Sequence, residues 1–146
     1  MRYTPISSDI YKKNRDRFMN KMKKESIAVF NSNDIYPVGA DSTFPFEQHR
    51  DIFYLTGIDQ EETILLLSPQ AKELKNRAIL FIKKTDKNIQ IWEGQKLSKE
   101  DARSISGIDK IFWLTEFDST LKKITSQNKG IYLNKNEHYR KNNEKK

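Results

Sequence analysis

Apolar residues in this chain come in short runs, and those runs predict most of its elements. Ser26-Ile27-Ala28-Val29-Phe30 is a compact apolar segment of the kind that forms a buried strand. Phe53-Tyr54-Leu55-Thr56, closed by Gly57, and Thr63-Ile64-Leu65-Leu66-Leu67, closed near Pro69, read as neighbouring strands around a turn at Ile58–Glu62. The Phe53 and Tyr54 side chains are expected in the core on that reading. Ala78–Ile82 predicts another strand, and Ile89-Gln90-Ile91-Trp92 alternates as an edge strand does, before Gly94. Lys110–Leu114 and Ile131–Leu133 complete the strands.

Helical patterning fills the intervals. Ser8–Lys24, capped by Ser7 or Ser8, places Tyr11, Phe18 and Met22 on one face. Lys12, Lys13, Arg15, Arg17 and Lys23 fall mostly on the other, solvated face. Ser98 with Asp101 has the form of a capping box, so Ser98–Ser106 reads as a short helix closed by Gly107. Thr115 with Asp118 resembles a second box, opening a helix to about Asn128 with Phe117, Leu121 and Ile124 as its buried stripe. The sum is an α/β fold, a mixed β-sheet flanked by helices. The boundaries are residues 1–133 for the domain and 134–146 for a polar tail.

Length and composition fit that picture. The chain has 146 residues, the size of one domain able to bury its own core. Its eight Phe and six Tyr argue against a disordered polymer. Cysteine is absent, which excludes disulfides, thiolate metal sites and cysteine nucleophiles. No apolar run approaches the ~20 residues that span a bilayer, so no membrane partner is expected. The start carries no secretory pattern, and a cytoplasmic location is the expectation.

The net charge of +7 is uneven. Residues 1–24 carry +6, residues 134–146 carry +3, and the body between them carries -2. A basic patch can bind nucleic acid by releasing counterions. These ends lack interleaved aromatics and any nucleic-acid module, so they read as a solvated helix face and a frayed tail, with no nucleic-acid partner.

Catalytic chemistry is thin. The five glycines stand singly at turns, without a phosphate loop or dinucleotide fingerprint. His49 and His138 are far apart and read as surface residues rather than metal ligands. No Ser sits on a G-x-S-x-G elbow. Taken residue by residue, the chain carries no complete catalytic site and no metal site.

One stretch stands apart. Ala40-Asp41-Ser42-Thr43-Phe44-Pro45-Phe46-Glu47-Gln48-His49-Arg50-Asp51-Ile52-Phe53-Tyr54-Leu55-Thr56-Gly57 packs aromatics, acids and proline directly against an apolar run. From composition alone it is a loop whose aromatics plug the core edge. It also resembles the signature of the N-terminal domain of Xaa-Pro aminopeptidases (aminopeptidase P), approximately D-S-x-Y-P-F-R-Q-x-S-D-F-x-Y-L-T-G. Asp59–Glu62 and Thr63–Leu67 supply the acidic and aliphatic continuation, and Ile91-Trp92-Glu93-Gly94 matches the family's later Trp-x-Gly. Arg15–Met22 is similar to its first helix, and the likeness runs from about residue 10 to 133. Glu47, His49-Arg50 and Phe44 depart from the usual pattern.

The resemblance implies a creatinase/prolidase N-terminal domain-like fold and a two-domain metallopeptidase. Its absent C-terminal pita-bread domain would hold two Mn ions and release the first residue of peptides with proline in second position. Residues 134–146 would begin the linker to it. This chain would hold no cofactor, would not hydrolyse peptides by itself, and would contribute to oligomerisation, as a homo-oligomer, and to the active-site wall. Asp41 could meet a peptide ammonium or an Arg of the catalytic domain, and Trp92 could form a flat apolar wall, extending to a neighbouring subunit's site. Asp41 reads equally as a loop cap, and Trp92 as a core or edge residue. The alternative is a binding or oligomerisation module of a catalytically inactive creatinase-like homologue.

Overall fold

The computed structural model describes residues 7–32, 48–84, 97–126 and 130–133. Within them lie strands β1 (Ser26–Asn31), β2 (Ile64–Leu67), β3 (Ala78–Ile82), β4 (Lys110–Trp113) and β5 (Gly130–Leu133). The helices are α1 (Ser8–Lys21), α2 (Arg50–Thr56), α3 (Lys99–Ser106) and α4 (Phe117–Thr125), with 3-10 turns at Leu74–Asn76 and Leu114–Glu116. The strands form one sheet in the order β4-β3-β2-β1-β5. β2 runs antiparallel to β1 and β3, whereas β5 and β4 lie parallel to β1 and β3 respectively. A mixed sheet flanked by helices, as expected from the sequence, is observed, though not with every strand expected.

Strand side chains alternate between two cores, as the pleat requires. Ala28, Phe30, Leu65, Leu67, Leu80, Ile82 and Ile111 face one side, under Ile52 and Leu55 of α2 and Ala102 of α3. Phe18, Met19 and Met22 of α1 pack against the same cluster. Ile27, Val29, Leu66, Ile79 and Phe81 face the other, covered by Phe117, Leu121 and Ile124 of α4. Both faces of β1 to β3 are therefore apolar, which explains why their sequences are continuous runs and not alternations.

The register places particular chain ends together. Asn31 pairs with Ile64, Ile64 with Phe81, and Ile82 with Trp113. The C-terminal ends of β1, β3 and β4 thus share one sheet end with the start of β2. The chain leaves that end from β1 and from β3, on either side of β2, about 10 Å apart at the usual strand spacing.

Four expectations are corrected. Phe53–Thr56 is the second half of helix α2, not a strand. Its buried residues Ile52, Leu55 and Thr56 follow helical spacing, and Phe53 and Tyr54, expected in the core, are 41% and 49% exposed. Thr115 does not cap a helix. Instead the Glu116 carboxylate accepts the Trp113 N–H at 2.8 Å, making a 3-10 turn from which α4 starts at Phe117. Arg15 and His49, expected at the surface, are buried; Arg15 lies there because its guanidinium meets backbone carbonyls. The predicted strand at Ile89–Trp92, and the tail 134–146, lie outside the described residues.

Candidate functional site

The described part of the signature segment, Gln48–Gly57, folds around hydrogen bonds that its own side chains supply. His49 is the N-cap of α2, and its Nδ1 accepts the Asp51 N–H at 3.1 Å. An imidazole nitrogen that accepts carries no proton, so the cap fixes the tautomer. The His49 side chain is also buried, at 5% exposed. Gln48 Oε1 accepts the His49 N–H at 2.9 Å, and Gln48 Nε2 donates to the Ile58 and Gln60 carbonyls at 3.0 and 2.9 Å.

The far end of α2 is built as carefully. Gly57 adopts φ 71° and its N–H donates to the Phe53 carbonyl at 2.8 Å. The Thr56 hydroxyl donates to the Ile52 carbonyl at 2.7 Å and accepts the Ile58 N–H at 3.1 Å. α3 ends in the same way: Gly107 has φ 74°, and the Ser106 hydroxyl donates to the Ala102 carbonyl and accepts the Ile108 N–H at 3.1 Å. Thr56-Gly57-Ile58-Asp59 and Ser106-Gly107-Ile108-Asp109 are one motif used twice.

Arg15 joins the two ends. Its Nη1 donates to the Leu55 carbonyl at 2.8 Å and to the Ser106 carbonyl at 2.9 Å. Asn14 Nδ2 donates to the Tyr54 carbonyl at 2.8 Å. A cation at the C-terminal end of a helix meets the negative end of the dipole, and here one guanidinium meets two. Burial lowers the Arg15 pKa to about 10, against a smaller opposing effect of Asp16, so the group remains charged at neutral pH. Nothing in the sequence separates Arg15 from the surface lysines of α1, because its partners are backbone carbonyls that exist only once α2 and α3 end there.

Asp41 and Trp92, the residues singled out from the sequence, lie outside the described residues. Both connections that contain them, 33–47 and 85–96, leave from the sheet end defined by Asn31, Ile64 and Ile82. Among the described residues no group of three His, Asp or Glu side chains could hold a metal ion, so these residues do not fit a metal centre. No helix among them is long and apolar enough to cross a membrane. A recess of about 770 Å³, lined by Gln70, Asn76, Lys110, Phe112, Thr120 and Lys123 among others, opens at the opposite end of the sheet, away from the signature.

These features define a mixed α/β domain whose long connections emerge together from one sheet end. The model of the aminopeptidase P N-terminal domain family matches residues 11–132, and the chain belongs to that family. It is 28% identical over 140 residues to human Xaa-Pro aminopeptidase 3, covering 88% of this chain and 28% of that protein. To the Xaa-Pro aminopeptidase of Escherichia coli it is 27% identical over 116 residues, covering 80% of this chain and 26% of that one. The chain therefore spans little more than a quarter of these relatives. Among solved structures, a Bacillus anthracis protein assigned as an aminopeptidase P superposes with a TM-score of 0.82 at 31% identity, over 93% of this chain and 32% of that one. Escherichia coli aminopeptidase P with the inhibitor Pro-Leu shares the fold, with a TM-score of 0.79 at 23% identity, over 92% and 30% of the respective chains.

Proposed function

We propose that this domain is the non-catalytic N-terminal module of an Xaa-Pro aminopeptidase, the enzyme that removes the first residue of peptides with proline in second position. The family match across residues 11–132 carries the reading. On this reading the domain comprises residues 1–133, and 134–146 begin the linker to a catalytic domain. That second domain, not this one, holds two manganese ions, whose chemistry is to activate a hydroxide against the first peptide bond. No step of that reaction is assigned to the described residues. This domain supplies part of the wall of the peptide site, with Asp41 and Trp92 as its contributing residues, and surface for homo-oligomer formation in the cytoplasm.

The test compares two proteins on an Xaa-Pro-Xaa peptide with Mn²⁺. The chain alone should release no first residue. A chimera in which it replaces the corresponding domain of the Escherichia coli relative should release it. Activity in the chain alone would overturn the non-catalytic role. A folded but inert chimera would overturn the enzyme reading and leave the inactive creatinase-like module.

A further inference from the structure

A second recess, of about 690 Å³, opens beside α1 at the sheet end where β3 and β4 begin. Its size falls within the roughly 300–1,000 Å³ of small-molecule sites. Part of its wall is apolar: Met19 of α1, Ala78 at the start of β3, and the buried Ile108. The rest is charged, with Lys12, Arg15, Lys75 and Arg77 set against two acids, Asp16 and Asp109.

Arg15 separates this recess from an ordinary charged surface. Its side chain is 4% exposed, yet it lines the recess. A guanidinium has five N–H donors, and Nη1 uses its own on the Leu55 and Ser106 carbonyls. Nε and Nη2 have no hydrogen-bond partner among the described residues, and neither is sealed from solvent. Asp16 and Asp109 form no ion pair with Arg15 among those residues. Joining two helix ends needs only two donors, which an ammonium could supply. The edge of Arg15 that carries Nε and Nη2 is therefore surplus to that role. Two N–H groups side by side match two oxygens of a carboxylate or phosphate.

Lys12 stands one turn before Arg15 on α1 and shares its face. Its stem lies against Gly107, and it forms no ion pair among the described residues. The other two cations are already engaged. Lys75 pairs with Glu73 at 3.4 Å, and Arg77 Nε donates to the Ala71 carbonyl at 3.1 Å.

We propose that this recess binds a small organic anion, whose carboxylate or phosphate group pairs with the open Nε–Nη2 edge of Arg15 and with Lys12, while its body rests on Met19, Ala78 and Ile108. The oxyanion is the shared chemistry, and the choice of probe distinguishes its two forms.

The test titrates the native chain with phenyl phosphate, phenylacetate and inorganic phosphate at constant ionic strength, following the Arg15 Nε–H and Ile108 amide resonances. One or both aromatic anions should shift both resonances saturably, and the tighter of the two identifies the group preferred. Lys12→Gln should weaken that binding about fivefold, the value of one hydrogen bond. Arg15→Lys, which keeps the charge but loses the paired edge, should weaken it about tenfold or more. Lys123→Gln, the same loss of charge at the other recess, should leave it unchanged, and this comparison with Lys12→Gln stands even if the Arg15 variant folds poorly. No shift at Arg15 with any of the three anions overturns the proposal. Equal weakening by Lys12→Gln and Lys123→Gln overturns it as well, since attraction to net charge would then suffice. Inorganic phosphate binding as tightly as phenyl phosphate, with phenylacetate inert, also overturns it, because the apolar wall would then recognise nothing.

Discussion

Arg15 and Ser106 stand 91 positions apart and meet through a 2.9 Å hydrogen bond from the guanidinium to the Ser106 carbonyl. The same nitrogen reaches the Leu55 carbonyl at 2.8 Å. α1 therefore does more than shield the sheet. It crosses the ends of α2 and α3 and supplies one cation to both sets of terminal carbonyls, at the two copies of the hydroxyl-Gly-Ile-Asp motif.

Removing that cation should be costly. Hydrogen bonds to a charged group contribute about 1.5–3 kcal/mol each, and Arg15→Met leaves two carbonyls without their donor, so a loss of about 3 kcal/mol is expected. Urea unfolding measures it as a lower midpoint at unchanged slope. A loss below about 1 kcal/mol would mean that water replaces the guanidinium, and that the bridge is not what joins the helix ends.

A second substitution makes the same site respond to pH. Burial lowers the pKa of Arg15 from its ordinary value to about 10. A base with a lowered folded pKa binds fewer protons folded than unfolded, so its contribution to stability rises with pH between those two values. Below about 10 the cost of burying the charge is fully present and constant. Arg15 thus adds no pH dependence between about pH 6 and 9. Lysine ordinarily titrates near 10.4, and the same burial acts on it in the same direction. The stability of Arg15→Lys, relative to the native chain, should therefore climb as pH rises from about 8 to 10. Urea midpoints for both proteins across that range decide it, and a constant difference refutes the argument.

What the sequence reveals and conceals follows from where each interaction originates. β1, β2 and β3 are legible because both faces of these strands are buried, which leaves continuous apolar runs. α3 is legible because its stop and start are local: Ser98 and Asp101 exchange hydrogen bonds, and Gly107 closes it. α2 is misread because Phe53-Tyr54-Leu55-Thr56 carries strand propensity, whereas its helical state depends on a histidine cap and on contacts with α1. Arg15 is misread because its hydrogen bonds reach 40 and 91 positions along the chain. The repeated motif at 56–59 and 106–109 was the available signal that two helices end alike. Of the candidate wall, the chain ends that anchor the connections are described, but Asp41 and Trp92 are not.

The two motif glycines should not be equally sensitive. Both have positive φ, which an alanine adopts at a cost of about 1 kcal/mol. A Cβ on Gly57 would also stand 2.5 Å from the Tyr11 ring, itself buried and stacked edge-on against Phe53. At Gly107 the nearest atoms are Lys12 Cγ and Ser8 Cβ, at 3.2 Å, and the lysine can move. Gly57→Ala should therefore cost about 1–3 kcal/mol more than Gly107→Ala. Pairing Gly57→Ala with Tyr11→Ala tests the cause by double-mutant cycle. The combined loss should fall short of the sum, because one change removes the obstacle that the other meets. Strict additivity would place the cost in the backbone alone.

His49 offers the last discrimination, between capping and filling space. Its Nδ1 holds the Asp51 N–H, and its ring is almost entirely buried. His49→Phe keeps the bulk and loses the acceptor. His49→Asn keeps an acceptor of the kind preferred at N-caps and loses the bulk. If the cap is the main contribution, Phe should cost about 1 kcal/mol and Asn a fraction of that. Equilibrium unfolding ranks the two, and amide exchange at Asp51 locates the effect, since only loss of the acceptor should accelerate it. The reverse order, with Asn the more damaging and Asp51 protected in the Phe variant, would assign His49 to packing and leave the start of α2 held by Gln48.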